Sequence, residues 1–154
     1  MSESKTTLYS IFRLLAVMIL VTGLAACQPQ TQAQEITVYK SATCGCCKKW
    51  VRHLQDNGYK VIAINVADIK TIKTKQGVPG QLASCHTALV DGYVIEGHVP
   101  AADIKRLLSE RPKTKGIAVP GMPMGSPGMK GMGRDKYAVL TFNSNGSTGV
   151  FKQH

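Results

Sequence analysis

Three cysteines, Cys44, Cys46 and Cys47, lie within four positions. The spacing of apolar residues changes at this point in the sequence. Before them, Glu35–Lys40 alternates apolar and polar residues, which predicts a strand. After them, residues 44–57 carry apolar side chains at helical spacing, which predicts a helix. The cysteines therefore lie where a strand passes into a helix. There the exposed N–H groups and the positive end of the helix dipole stabilise a thiolate at Cys44.

The remaining patterns predict an α/β chain. The predicted elements are a strand at 61–66, a helix at 68–76, hairpin strands at 85–90 and 93–98 joined by Asp91-Gly92, a helix from Pro100, and a final hairpin at 137–142 and 148–151. Residues 116–133, rich in Gly, Pro and Met, are expected to lack regular structure. The strand-helix-strand start implies a parallel first pair of strands. The order resembles a thioredoxin-like fold: a mixed sheet flanked by helices, with a Gly/Pro/Met-rich loop and a C-terminal hairpin.

The N-terminal segment has the pattern of an export signal. A leader containing Lys5 and Arg13 precedes a short apolar run and then small residues. The run is too short to favour a spanning helix. Leu24-Ala25-Ala26-Cys27 resembles the bacterial lipoprotein box, and the alternative is an ordinary secretory peptide cut near Ala26. We expect a signal peptide at 1–26, a lipidated tether at 27–34 anchored through Cys27, and one domain at 35–154.

This arrangement places the domain on the periplasmic side of a bacterial membrane, held there by its lipid anchor. Gln28 after the lipidated residue resembles the signal for outer-membrane sorting. The net charge of +10 falls by only one without Glu3, Lys5 and Arg13. The lysines are spread along the chain, so we expect no nucleic acid partner but a solvated surface resting on anionic lipid headgroups.

The cysteine cluster suits metal binding better than disulfide exchange. Cys44 and Cys47 have the spacing of thiol-disulfide oxidoreductases. The extra thiol of Cys46, however, would attack or misroute any disulfide beside it. Several soft thiolates suit Cu(I), Zn(II) or an iron-sulfur cluster. Iron-sulfur ligation usually asks for four cysteines at other spacings.

Cys85 is the fourth predicted sulfur ligand. In thioredoxin-like domains the loop before the third strand passes over the CxxC motif, and counting back from Asp91-Gly92 places Cys85 in that loop. The alternative is a buried small apolar residue. His86 is either a further ligand or a strand side chain that points away from Cys85. His53 is expected on the surface, and His98 and His154 receive no role.

Four methionines in the Gly/Pro-rich segment favour copper over zinc. Thioethers are soft neutral ligands that prefer Cu(I) or Ag(I), and the glycines and prolines around them rule out a helical core stripe. The four are Met122, Met124, Met129 and Met132. Met122 and Met124 are the predicted copper ligands among them.

Several motifs together resemble the CopG-type family of periplasmic copper-resistance proteins. They are residues 39–47 with Trp50, residues 84–88, residues 97–102 with Ile104, and residues 118–123 and 125–129. The resemblance implies a thioredoxin-like fold, copper held by Cys44, Cys46, Cys47 and Cys85 in a site that can hold several copper ions, and interconversion of Cu(I) and Cu(II) during copper or silver tolerance.

The predicted function is that of an envelope copper-binding protein. Its expected partners are copper ions, the membrane, and envelope copper efflux or oxidase proteins. Two alternatives stay open: a thiol-disulfide oxidoreductase of the envelope, and a passive copper-delivery module for an efflux system. The residues do not decide whether the chain turns over as a copper oxidoreductase.

Overall fold

A computed structural model describes residues 33–154. The helices are α1 (Gly45–Asp56), α2 (Ile69–Gln76) and α3 (Ala101–Glu110). The strands are β1 (Glu35–Lys40), β2 (Lys60–Asn65), β3 (His86–Val90), β4 (Tyr93–Gly97), β5 (Gly116–Val119), β6 (Ala138–Phe142) and β7 (Thr148–Gln153). The predicted signal peptide, the lipidation site Cys27 and most of the tether lie outside the described residues. Within residues 33–154, no helix has the length and apolar character needed to cross a bilayer.

The seven strands form one mixed sheet in the order β2-β1-β3-β4-β5-β6-β7. β1 pairs with β2 in parallel, as the strand-helix-strand pattern predicts. β3 then pairs antiparallel with both β1 and β4. Helices lie on both faces, so the predicted α/β, thioredoxin-like architecture is confirmed.

Each face of the sheet has its own apolar cluster. The larger one packs the apolar stripes of α1 and α3 against the sheet. Its fully buried side chains include Ile36, Val38, Trp50, Leu54, Ala88, Ile95, Ile104, Leu107, Ile117 and Val139. The smaller cluster contains Leu82, Val94, Ala118 and Phe142. Because strand side chains alternate between faces, Thr87 and Glu96 face the side of α2, and Ala88 and Ile95 face the side of α1.

The expectation that residues 116–133 lack regular structure was wrong for Gly116–Val119, which form β5 between β4 and β6. Three consecutive apolar residues, Ile117 to Val119, are fully buried in that strand. Gly116 is required there, because a Cβ atom would overlap the carbonyl oxygen of Val94. So short an apolar run among glycines and prolines gives no periodic signal.

The turn between β3 and β4 sets the register of the central hairpin. Asp91 and Gly92 both have positive φ, +49° and +84°, as the tight two-residue hairpin turns require. Thr87 is therefore opposite Glu96 and Val90 opposite Tyr93. Extended beyond the paired residues, the same register sets Cys85 opposite His98.

Candidate metal centre

The N-terminus of α1 carries three of the site's four sulfur atoms. Cys44 is the N-cap residue, and its Sγ accepts a hydrogen bond of 3.3 Å from the backbone N–H of Cys47. Cys44 and Cys47 are joined by a disulfide. Cys47 is fully buried, whereas Cys44 and Cys46 are partly exposed. The four-thiolate form of the site therefore requires two-electron reduction of this disulfide.

The two free thiols lie directly beside the disulfide. Cys46 Sγ is 3.5 Å from Cys44 Sγ and 4.0 Å from Cys85 Sγ. Cys47 Sγ is 3.8 Å from the carbonyl oxygen of Cys85. The sulfur atoms of all four cysteines lie within 4.8 Å of one another, so the structure brings together the cysteines singled out in the sequence.

Two histidines lie beside Cys85, at one side of the four-cysteine cluster. Cys85 Sγ lies 3.2 Å from Nδ1 of His86 and 3.0 Å from Nε2 of His98. Both imidazoles are fully buried. The His86 ring also packs on Trp50, with ring centroids 4.2 Å apart. His86 therefore does not point away from Cys85, which was the alternative considered for it.

The Gly/Pro/Met-rich loop fixes the tautomer of His98. Its Nδ1 lies 2.6 Å from the carbonyl oxygen of Pro127, and because a carbonyl only accepts, Nδ1 carries the proton. In the neutral ring Nε2 is then an acceptor that faces the thiol of Cys85. Nδ1 of His86 lies at hydrogen-bond distance from the same sulfur, and the backbone of Gly97 also interacts with the His86 ring. His86 Nε2 is buried without a hydrogen-bond partner.

Burial keeps this part of the site uncharged. It raises the pKa of the Cys85 thiol to about 12, and the negative charge of a Cys46 thiolate adds to that effect. Burial also lowers the pKa of His86 well below its usual value, with neighbouring His98 and Lys73 adding to the shift. The pKa of His98 is likewise lowered by burial. The metal-free site thus holds neutral imidazoles and a protonated Cys85, and a bound cation would displace the thiol proton.

A buried ion pair on the other face of the sheet positions the Cys85 loop. Glu96 Oε1 accepts hydrogen bonds from Lys73 Nζ at 2.5 Å and from the backbone N–H of Ser84 at 2.6 Å. Thr87 donates to Oε2 of the same carboxylate at 2.7 Å. Charged groups this deeply buried are costly unless fully bonded. Here the hydrogen bond from the backbone N–H of Ser84 to Glu96 fixes the residue directly before Cys85.

Three of the four loop methionines are exposed, and Met129 is partly buried. Met122 and Met124 are 39% and 38% exposed, and Met132 is fully exposed. Met124 is held through its backbone, which pairs with Asp135. Their side chains are accessible to soft ions from solvent, and the role of Met122 and Met124 as ligands stays a prediction.

An open groove of about 750 Å³ lies between α1 and the loop. Four cationic side chains line it, against one carboxylate, Asp56. The four are Lys49, Arg52, Lys130 and Arg134. None of the four cysteines lines this groove, so it is a neighbour of the sulfur site and not the site itself.

Two histidines differ from their sequence-based interpretation. His98 received no role, yet counting the hairpin register outward from Asp91-Gly92 would have set it opposite Cys85. His53 was expected on the surface but is half-buried, and its Nε2 accepts the backbone N–H of Ala101 at 3.0 Å. It therefore caps the first turn of α3, whose N-cap residue Pro100 offers no side-chain hydrogen bond.

Comparisons with known proteins agree with this description. A family model described as a protein of unknown function, DUF411, matches residues 82–129. No curated protein matches the chain significantly. Two solved structures, both named copper resistance protein copG (forms 2 and 1), are each 46% identical and cover 80% of this chain. The matches span 99% and 98% of those chains, with TM-scores of 0.76 and 0.75. At that identity and coverage, the chain belongs to the CopG family of copper resistance proteins.

Proposed function

We propose that this chain binds copper through Cys44, Cys46, Cys47 and Cys85 and that it serves copper and silver tolerance. The observation that carries the proposal is the convergence of four sulfur atoms within 4.8 Å of one another. Soft thiolates suit Cu(I) as well as Zn(II), and the thioethers of the neighbouring loop favour copper over zinc. The names of the two related structures support copper as the metal.

The electrostatics of the site suit a cation that has lost its hydration shell. Cys47 is fully buried and Cys85 lies between two buried neutral imidazoles. A thiolate in such surroundings is unfavourable alone, which is why burial raises the pKa of Cys85 to about 12. A bound Cu(I) supplies the missing positive charge and stabilises the thiolate.

The test is Cu(I) titration of the reduced protein, kept under a phosphine reductant without oxygen. We expect the wild-type chain to bind Cu(I) with sulfur scattering in X-ray absorption, and serine at positions 44, 46 and 47 together to abolish that binding. Thr43→Ser is the matched control, because it changes the same loop and keeps every sulfur. Unaltered copper stoichiometry and Cu–S scattering in the triple variant would overturn the proposal.

A second candidate, a thiol-disulfide oxidoreductase, is favoured by one observation. The disulfide between Cys44 and Cys47 begins a helix, with the partly exposed Cys44 as its N-cap. This candidate predicts insulin reduction that needs Cys44 and Cys47 and survives Cys46→Ser. Copper binding without any disulfide or copper turnover would instead support passive delivery.

For location, we propose a lipid anchor at Cys27 on the periplasmic side of the outer membrane, as the sequence predicts. The support is the lipoprotein-like pattern ending at Cys27. Labelling cells with a radioactive or alkyne fatty acid tests it: Cys27→Ser must lose the label.

Envelope copper efflux or oxidase proteins are the proposed partners. The cationic rim of the groove suits docking of an acidic surface, which cross-linking in cells would detect.

A further inference from the structure

The groove between α1 and the Gly/Pro/Met-rich loop has walls of one predominant charge. Each wall contributes two exposed cationic side chains, Lys49 and Arg52 from α1 and Lys130 and Arg134 from the loop. Asp56 is the one carboxylate among the lining residues. The lining of the groove therefore has an excess of three positive charges.

Asp56 does not neutralise the other cations of the groove. Its carboxylate lies 3.2 Å from Arg52, one helical turn away, in an ion pair whose two side chains are exposed. In the described part of the chain, Lys49, Lys130 and Arg134 form no ion pair. Like charges that line one cleft repel one another. An anionic occupant would relieve that repulsion.

Hydrogen bonds within the loop hold its wall of the groove in place. The N–H of Met124 donates to the Asp135 carboxylate at 2.8 Å, and the N–H of Asp135 donates back to the Met124 carbonyl at 3.0 Å. Inside this closure, Gly125 donates to the Met129 carbonyl, and Met129 donates to that of Ser126. The groove is therefore formed before a partner arrives, which reduces the entropy lost on binding.

The loop wall also presents backbone donors. The N–H groups of Lys130, Gly131 and Gly133 donate to no acceptor within the residues that the structure describes. A carboxylate accepts hydrogen bonds from backbone N–H groups as well as from lysine and arginine, and these charge-assisted bonds are stronger than neutral ones. The wall thus suits carboxylate groups in particular.

We propose that this groove is the docking site for an acidic, extended segment of a partner protein. The inference deepens the proposed function and rests on it for the reason that a partner docks there, which is the exchange of copper. Pro127 and Gly128 line the groove and also lie against the sulfur site, at His98 and at the carbonyl of Cys46. A segment in the groove therefore lies beside the copper site without covering it.

The shape of the groove favours a peptide segment over a membrane. An anionic membrane attracts cations that project from one face of a protein, whereas these cations line both walls of a cleft. In an extended chain, successive side chains point to opposite sides. Alternate acidic residues of such a segment can therefore reach the α1 wall and the loop wall at the same time.

The test is fluorescence anisotropy of a labelled hexaglutamate peptide, titrated with the full metal-free chain in a nonionic detergent. We expect saturable binding that weakens as salt is added, because ions screen exposed charges. A glutamine peptide of equal length is the control for the probe and should not bind.

Charge reversal then locates the binding. Lys130→Glu combined with Arg134→Glu should weaken hexaglutamate binding about tenfold or more, because two attractive pairs become repulsive. Lys105→Glu combined with Lys113→Glu is the matched control, since it changes the net charge equally at exposed residues outside the groove. Charges so placed are screened by salt, so the control should weaken binding less than about twofold.

Three outcomes would overturn the docking site. They are no binding of hexaglutamate by the wild type, equal losses in the two double variants, or displacement of the labelled peptide by glycerophosphoglycerol as readily as by unlabelled hexaglutamate. Glycerophosphoglycerol is the headgroup of an anionic lipid, so the last result would assign the groove to a membrane. None of these results bears on Cu(I) binding, and failure of Cu(I) binding leaves the metal-free peptide assay unchanged. The two failures are therefore distinguishable.

Discussion

The carbonyl oxygen of Pro127 accepts a hydrogen bond of 2.6 Å from Nδ1 of His98, and this contact ties the Gly/Pro/Met-rich loop to the sulfur site. Gly128, the next residue, lies against α1: a Cβ atom there would be 2.9 Å from the carbonyl oxygen of Cys46 and 3.1 Å from His98 Nδ1. The loop therefore packs on the site through its backbone, at a point where a side chain does not fit.

The first prediction concerns Gly128→Ala. Its φ of +89° is strained for alanine, and the added Cβ must also push the loop away from Cys46. We expect a loss of about 1–3 kcal/mol in the free energy of unfolding and a weaker bond from His98 to Pro127. Denaturant unfolding measures the first effect, and the Nδ1–H resonance of His98 in NMR measures the second.

Gly146→Ala is the matched control for that variant. Gly146 has a similar φ of +83° but open space where the Cβ would lie, so alanine there adds backbone strain without a clash. We expect it to leave the His98 resonance in place. Equal shifts of that resonance in the two variants would contradict the packing of Gly128 against the site.

The second prediction concerns the buried ion pair below the Cys85 loop. Lys73→Met leaves the Glu96 carboxylate buried without its cation, and we expect a loss of about 3–5 kcal/mol in unfolding free energy. Combining it with Glu96→Gln removes the uncompensated charge and should recover part of the loss. Lys60→Met is the control, because Lys60 and its partner Glu35 are both exposed and such pairs contribute little to stability. Equal losses for Lys73→Met and Lys60→Met would contradict this account.

The third prediction is a pH dependence of the metal-free protein. Burial lowers the folded-state pKa of His86 well below the value of 6.5 of an unperturbed histidine, so below that pH the unfolded chain binds a proton that the folded chain does not. Stability should therefore be level above about pH 6.5 and fall as the pH drops below it, by up to about 1.4 kcal/mol per pH unit for this residue. His53 and His98, whose pKa values are also lowered by burial, act in the same direction.

Unfolding midpoints in denaturant between pH 7.5 and pH 5.5 measure this dependence. His86→Gln should make the slope below pH 6.5 shallower, whatever it does to the absolute stability. A slope unchanged by that substitution would mean that His86 is accessible to protons in the folded protein.

Much of the sulfur site could be predicted from local patterns. The alternating strand before Cys44 and the helical period after it determine where the cysteines lie, and the Asp91-Gly92 turn determines the position of Cys85. These signals are strong because each is set by neighbours in the sequence. The same turn also sets His98 opposite Cys85. This pairing follows from the hairpin register only when the register is counted outward beyond the predicted strands.

Other features depend on contacts that leave no pattern in the sequence. The hydrogen bond that His98 donates to Pro127 is accepted by a backbone carbonyl, which every residue has. β5 has four residues, and its three apolar side chains are too few to show a period. Its start depends on the close approach of Val94 to Gly116. The ion pair of Lys73 with Glu96 joins a helix to a strand 23 residues away. Lys73 by itself looks like a solvated helix residue.

The fourth prediction concerns thiol reactivity. Without reductant, iodoacetamide should label Cys46 and Cys85 and leave Cys44 and Cys47 protected in their disulfide. Cys46 should react first, because burial raises the pKa of Cys85 to about 12 and leaves about one part in ten thousand as thiolate at pH 8. Peptide mass spectrometry separates residues 41–48 from the peptide that contains Cys85. Faster labelling of Cys85 would contradict the described burial of its sulfur.

The last prediction concerns the exposed thioethers. If Met122 and Met124 are copper ligands, as the sequence predicts, replacing both by Leu removes two soft donors while conserving volume. We expect the affinity for Cu(I) to fall about tenfold or more, equivalent to about 1.4 kcal/mol, with a change in unfolding free energy below about 1.5 kcal/mol. Competition with a chromophoric Cu(I) chelator measures the affinity. Met132→Leu is the control, because its side chain is fully exposed and lies outside the predicted ligand set. Equal affinities for the double variant and the wild type would restrict the copper ligands to the cysteines and histidines.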